Sequence, residues 1–123
     1  MKAIFVESTG FTDWVSDFLP DEAYAKLQQE LMDNPNKGSV MPGCGGLRKV
    51  RTADPKRGKG KRGGARVIYL HVPEAKWFFM LDIYDKDEQE KLSADEKKAL
   101  SKLAVECAKQ AKAAIDRRSR SKK

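Results

Sequence analysis

Apolar positions in the first third of this chain recur at helical spacing. Trp14, Val15, Phe18 and Leu19 mark the apolar side of a short helix that Thr12 or Asp13 caps and Pro20 ends. Tyr24, Leu27 and Leu31 repeat through a second helix over 21–33, with Glu22, Lys26, Gln29 and Glu30 turned to water. That helix stops at Asn34, because a residue before proline is pushed out of the helical region. Ahead of both lies KAIFVE, residues 2–7, rich in β-branched and aromatic side chains and so a first strand. Segment 34–46, with two prolines and four glycines, reads as a connecting loop.

From Leu47 the period drops to two. LRKVRTA (47–53), ARVIYLHV (65–72) and KWFFMLDIY (76–84) are three further strands, and the Pro73-Glu74-Ala75 turn makes the last two an antiparallel hairpin. The last strand is apolar at nearly every position from Trp77 to Leu81, as a central strand covered on both faces should be. Ser93-Ala94-Asp95-Glu96 is a capping box, and behind it Leu100, Leu103, Ala104, Cys107, Ala111 and Ile115 form one stripe of a helix of about five or six turns. The order β-α-α-β-β-β-α predicts an α+β fold: a small, mostly antiparallel sheet with N-terminal helices and a C-terminal helix. Residues 1–116 form a single domain, and RRSRSKK, residues 117–123, form a frayed basic tail.

Composition narrows the class. A chain of 123 residues with 40% hydrophobic and 35% charged residues is one folded domain with a heavily charged surface. No apolar run approaches the ~20 residues of a membrane span. MKAIFVESTGF is broken at Glu7 and lacks a signal-peptide core, so a cytoplasmic protein without a membrane partner is expected. Cys44 and Cys107 have no Cys or His at metal spacing around them, and His71 is the one histidine. A zinc site is excluded on ligand count unless carboxylates or other subunits supply most of it. No cofactor is expected. Both cysteines read as ordinary thiols, Cys107 in a helix core and Cys44 in a loop, and His71 reads as structural. Trp77, Phe78 and Phe79 are core residues rather than base-stacking platforms, and Trp14 and Phe18 pack helix on sheet. Gly58, Gly60, Gly63 and Gly64 lack the spacing of a nucleotide-binding P-loop.

Charge changes the picture most. From Arg48 to Arg66 nine Lys or Arg residues stand against one acid, Asp54, a net of +8 where the whole chain carries +7. A Gly-rich basic segment carried between two strands focuses field on a polyanion and grips phosphates without reading bases, which makes RNA or DNA the leading partner.

GGLRKVR, GKGKRGGARVIY and LDIYDKDE resemble the HigB branch of the RelE-type toxins of bacterial toxin–antitoxin modules, and the likeness covers nearly the whole chain. The resemblance implies a RelE-like, microbial-RNase-like fold. It implies a metal-independent endoribonuclease (mRNA interferase) that cleaves translated mRNA in the A site of the 70S ribosome, contacting mRNA and rRNA, and is neutralised by a cognate antitoxin. The family's first basic strand matches Lys49 and Arg51, with Arg48 beside them. Its arginine at the scissile phosphate matches Arg66, and a further basic residue near the end of the last strand matches Lys86. Leu92 departs from the pattern, standing where many relatives carry an aromatic that stacks on a base, and Tyr84 is the nearby substitute.

The chemistry available is that of cations. RNA is cut without metal when its own 2′-hydroxyl attacks the adjacent phosphorus, which needs a proton acceptor, a proton donor and cover for the phosphorane's charge. Arg66 and Arg51 can present bidentate donors to the developing oxyanions. Lysines crowded among cations lose proton affinity, so Lys49 is a candidate general base and Lys86 a candidate acid. Lys56, Arg57, Lys59, Lys61 and Arg62 sit on the loop and are assigned, with Arg48 and Tyr84, to holding RNA. Taken without the resemblance, the cluster fits a solvated basic loop or a non-catalytic RNA- or ribosome-binding protein better than a catalyst. A third reading is an inhibitor or structural partner with an incidental basic surface.

Overall fold

The computed structural model describes residues 2–53, 64–85 and 92–121, with side chains through Arg117. Its elements in chain order are β1 (Ile4–Glu7), α1 (Thr9–Phe18), α2 (Asp21–Asp33), β2 (Ser39–Val40), β3 (Arg48–Thr52), β4 (Ala65–Val72), β5 (Trp77–Asp85) and α3 (Ala94–Ser121). They form one sheet in the order β1-β5-β4-β3-β2. β1 runs parallel to β5, and every other pairing is antiparallel. The α+β class and the mostly antiparallel sheet follow the sequence pattern, and β5 is internal as its apolar run requires.

The start of α1 and the segment after α2 differ from the pattern. Helix α1 is capped by Ser8, not by Thr12 or Asp13: the Ser8 hydroxyl accepts from the Phe11 amide at 3.0 Å. Gly10 in the first turn disguised this start, and tertiary bonds fix it, for the Ser8 amide donates to the Met80 carbonyl (2.9 Å) and its hydroxyl to the Leu81 carbonyl (2.8 Å). Within the segment read as a plain loop, Ser39 and Val40 pair with Lys49 and Arg48 and add an edge strand. Two residues are too short to show a period.

Helix α2 spans the predicted residues. Asp21 and Glu22 in its first turn complement the helix dipole, and Pro35 follows its C-cap Asn34. The capping box of α3 forms in both directions, Ser93 N–H to Glu96 Oε1 at 3.0 Å and Glu96 N–H to Ser93 Oγ at 3.1 Å. The Ser93 amide, and after it the Ser93 side chain, hold the Glu96 carboxyl below its ordinary value. The helix continues to Ser121, so its backbone takes in most of the segment read as a frayed tail. Among the described residues no helix is long and apolar enough to cross a membrane.

The sheet separates two cores. On one face Phe11 and Phe18 of α1 and Leu27 and Leu31 of α2 bury against Val67, Tyr69, Phe78 and Met80. On the other, Ala104, Cys107 and Ala111 of α3, with Cys44 and Leu47, cover Ile68, Leu70 and Phe79. Each large side chain so buried contributes about 1.5–3 kcal/mol, an upper estimate. The α3 stripe is narrower than its sequence pattern. Leu103 is 41% exposed, because the helix meets the sheet through small residues that bring its backbone close and leave the stripe's edge in water. The loop approaches just as closely, since a Cβ on Gly45 would sit 3.0 Å from the Ala104 Cβ. Trp14, expected to pack on the sheet, is 58% exposed: α1 begins at Thr9, and Phe11 occupies the core place instead. Phe78 and Phe79 are core, as read, and both cysteines are free and buried.

Candidate functional site

An irregularity in β5 builds the site. β4 and β5 pair Tyr69 with Met80 and then Ile68 with Asp82, so Leu81 is an extra residue and β5 bulges there. Before the bulge, Phe78 and Met80 point into the α1/α2 core while Phe79 points toward α3. After it the phase is inverted: Ile83 enters the α1/α2 core and Tyr84 packs on the α3 side. Unbroken alternation would have turned Asp82 and Tyr84 inward with Met80. An aspartate at an apparent core position is the signal in the sequence that the strand changes phase.

The bulge aligns a row of functional side chains. Arg51 of β3 pairs with Arg66 of β4, and Arg66 pairs with Tyr84 of β5. Residues directly opposite one another on adjacent strands project from the same face. The next row is Lys49, Ile68 and Asp82, so Lys49 lies on that face too. Arg51 is exposed, whereas Arg66 is buried at 6% exposure. Its Nη1 donates to the carbonyls of Gly64 and Ala65, each at 3.3 Å, which orients the guanidinium fork. Asp82 accepts the Ile83 amide at 2.9 Å through Oδ1.

Arg48 faces the other way. It alternates with Lys49 on the strand, and its Nη1 donates to the carbonyls of Asn36 (2.8 Å) and Gly38 (3.4 Å). The Tyr69 hydroxyl lies between the carbonyls of Lys37 (2.6 Å) and Pro35 (3.0 Å), so the two side chains together hold the loop after α2. Burial pushes the Tyr69 phenol up to about 12, against a smaller opposing effect of Arg48. The structure thus brings together Lys49, Arg51, Arg66 and Tyr84 and leaves Arg48 apart. Lys56, Arg57, Lys59, Lys61, Arg62 and Lys86 lie outside the described residues.

A cleft of about 440 Å³ opens beside Lys49, between β2, the loop that follows it and the first turn of α3. Met41, Pro42 and Leu92 supply apolar wall, and Lys49 and Lys97 supply charge. Sequence reading passed over Lys97, because it lies outside the basic segment. Leu92 packs against the α3-side core. Elsewhere, burial raises the Cys107 thiol, with Glu106 adding to the shift, which makes it a poor nucleophile. The His71 imidazole stacks on Phe78 (centroids 4.5 Å apart), consistent with a structural residue.

Known proteins resemble the chain. Residues 16–123 match the family described as the RelE toxin of the RelE/RelB toxin–antitoxin system. Among solved structures, a double arginine mutant of the E. coli toxin RelE in the free state is similar to the chain at 14% identity and a TM-score of 0.49. The match covers 82% of this chain and 95% of that one.

Proposed function

The chain belongs to the RelE toxin family, the toxins of RelE/RelB toxin–antitoxin systems, and on that premise we propose that it is a HigB-branch, ribosome-dependent mRNA endonuclease held inactive by its cognate antitoxin. The observation that carries this reading is the row Arg51–Arg66–Tyr84, in register on one face with Lys49 beside it. Three cations and a phenol converge from three strands, where backbone pairing fixes their directions.

The reaction assigned to this face is transfer within the RNA. The 2′-hydroxyl oxygen attacks the adjacent phosphorus, the bond to the 5′-oxygen breaks, and the products are a 2′,3′-cyclic phosphate and a free 5′-hydroxyl. Arg66, oriented by two backbone carbonyls, and Arg51, opposite it, donate to the phosphorane oxygens. Lys49 takes the 2′ proton and Lys86 returns one to the 5′-oxygen, a role for Lys86 that rests on the resemblance alone. Tyr84 stacks on a base of the message, in place of the aromatic that Leu92 replaces. The ribosome supplies the positioning of the message, which so small a set of groups does not provide by itself.

The test is expression without antitoxin in a host whose messages are mapped. Wild type should arrest growth and leave codon-phased cuts, while Arg66→Ala and Arg51→Ala, checked to be folded, should not. Salt-sensitive ribosome binding with intact messages would leave a binding protein in place of an enzyme.

A further inference from the structure

We propose that the outer face of α3, together with a cleft between this helix and the β4–β5 turn, is a docking surface for an acidic segment of the cognate antitoxin that also carries apolar side chains. The proposal rests on the antitoxin partnership in the function set out above, not on the cleavage chemistry. The cleft, of about 260 Å³, lies between Val105 and Ala108 of α3 and Leu70, Val72 and Pro73 of β4 and its turn. It is smaller than small-ligand sites commonly are, and so suits one or two side chains of a peptide. Val105 is 51% exposed, which leaves this apolar wall open to a partner.

Charge selects an acidic occupant. Lys98, Lys102, Val105, Lys109 and Lys112 recur at intervals of four and three, which stacks them along one exposed face of α3. Val105 and Lys112 also line the cleft, so the basic stripe and the apolar wall are one continuous surface. Against the four lysines stand Glu74 at the cleft, Glu106, which meets Lys109 at 3.6 Å, and Asp95 and Asp116 at the two ends of the stripe. Both members of the Lys109–Glu106 pair are exposed, so exchanging Glu106 for a carboxylate of the partner costs little.

A protein segment fits this surface better than RNA does. RNA would use the lysines, but bases stack on aromatic rings, and the one aromatic ring among the described residues at the cleft, His71, is stacked on Phe78 of the opposite core. Leu70, Val72 and Val105 instead match apolar side chains, which an acidic peptide interleaves with its carboxylates. Leu70 and Val72 share the face of Arg66 but stand toward the far end of β4, and the six-residue step from Arg66 to Val72 spans about 20 Å. An antitoxin segment seated here leaves Arg51, Arg66 and Tyr84 uncovered.

The experiment measures by calorimetry the affinity of the purified chain for its cognate antitoxin. It compares wild type, Val105→Glu, Lys109→Glu combined with Lys112→Glu, and Arg66→Ala, with Lys26→Glu on α2 as a control for charge alone. Val105, Lys109 and Lys112 are exposed, so their substitution removes no core contact, and thermal melts check folding. Val105→Glu and the double lysine variant should each bind at least about tenfold more weakly, while Lys26→Glu and Arg66→Ala match wild type. Unchanged binding in either of the first two overturns the surface while the partnership stands. If that unchanged binding comes with weaker ribosome binding, the stripe belongs to RNA instead. Loss of binding in Arg66→Ala alone would put the antitoxin on the reacting face, and overturns the surface too. A wild-type chain that binds no antitoxin removes the partnership and the surface together.

Discussion

Arg51 and Arg66 stand directly opposite each other on β3 and β4, two guanidinium groups sharing one face of the sheet. Like charges so placed destabilise a strand pair by about 0.2–1 kcal/mol, and Arg66 is also buried. Arg51→Thr, which suits a strand and removes one charge, should raise the melting temperature by a few degrees at low salt while cleavage falls roughly 10²–10³-fold. The stability gain should shrink in 1 M salt, where screening acts over ~3 Å. Melts and cleavage rates on the same preparations decide it; a variant less stable than wild type means the pair is not repulsive.

Ser8 joins two tasks in one hydroxyl. It caps α1 and donates to the Leu81 carbonyl at the β5 bulge, whose phase change delivers Tyr84 to the site. Ser8→Ala loses both bonds and should cost about 1–2 kcal/mol in urea unfolding. Cleavage should drop with it, as the strand beyond the bulge loses its tether. Threonine keeps the hydroxyl, so Ser8→Thr should restore stability and cleavage together. If alanine matches wild type in both measurements, the tether contributes nothing.

Much of this arrangement was legible in the chain because it follows from local periodicity. Helix α2 and strand β4 have the residues their spacing predicts, and the α3 capping box forms as written. Lys49, Arg51 and Arg66 share a face because period two and hairpin pairing leave no alternative once the register is known. What stayed hidden depends on contacts distant in sequence. The cap at Ser8 is fixed by β5, 73 residues away, and β2 exists only because β3 lies beside it. Arg48 looked like its basic neighbours, yet the alternation that presents Lys49 turns Arg48 to the loop after α2. Charge clusters show in a sequence as counts; the structure adds the side of the sheet.

Gly38 sets the path of the chain beside Lys49. Its φ is +84°, and a Cβ there would overlap the Lys49 carbonyl. Alanine would therefore meet both a left-handed backbone and a steric clash with the main chain. Gly38→Ala should destabilise by more than ~1 kcal/mol and weaken cleavage by displacing β3. Gly10→Ala, with nothing within 4 Å of the new methyl, serves as the control and should leave cleavage unchanged. Equal melting curves for Gly38→Ala and wild type would contradict the clash.

Stability should be bounded on both sides of neutrality by buried and half-buried groups. Burial lowers the His71 imidazole below its ordinary 6.5, with Glu74 opposing, so the folded chain prefers it neutral. An unfolded chain binds that proton first as pH falls, and the contribution, complete above about 6.5, is lost on the way down through the folded value. The Tyr69 phenol is raised from 10.0 to about 12 by burial, and burial together with Glu7 raises Tyr24 as well. Their contributions are complete below about 10 and are lost as pH climbs toward the folded values. Unfolding free energies across pH should form a plateau between these limits. His71→Phe keeps a ring to stack on Phe78, removes an Nε2 that has no hydrogen-bond partner, and should flatten the decline below 6.5. A decline near carboxylate titration should remain, because Glu96 is held below its ordinary value in the capping box. Tyr69→Phe should flatten part of the alkaline decline but lower the plateau, since the carbonyls of Pro35 and Lys37 lose their shared donor. A His71→Phe profile parallel to wild type between pH 5 and 7 would show that the imidazole titrates alike in both states.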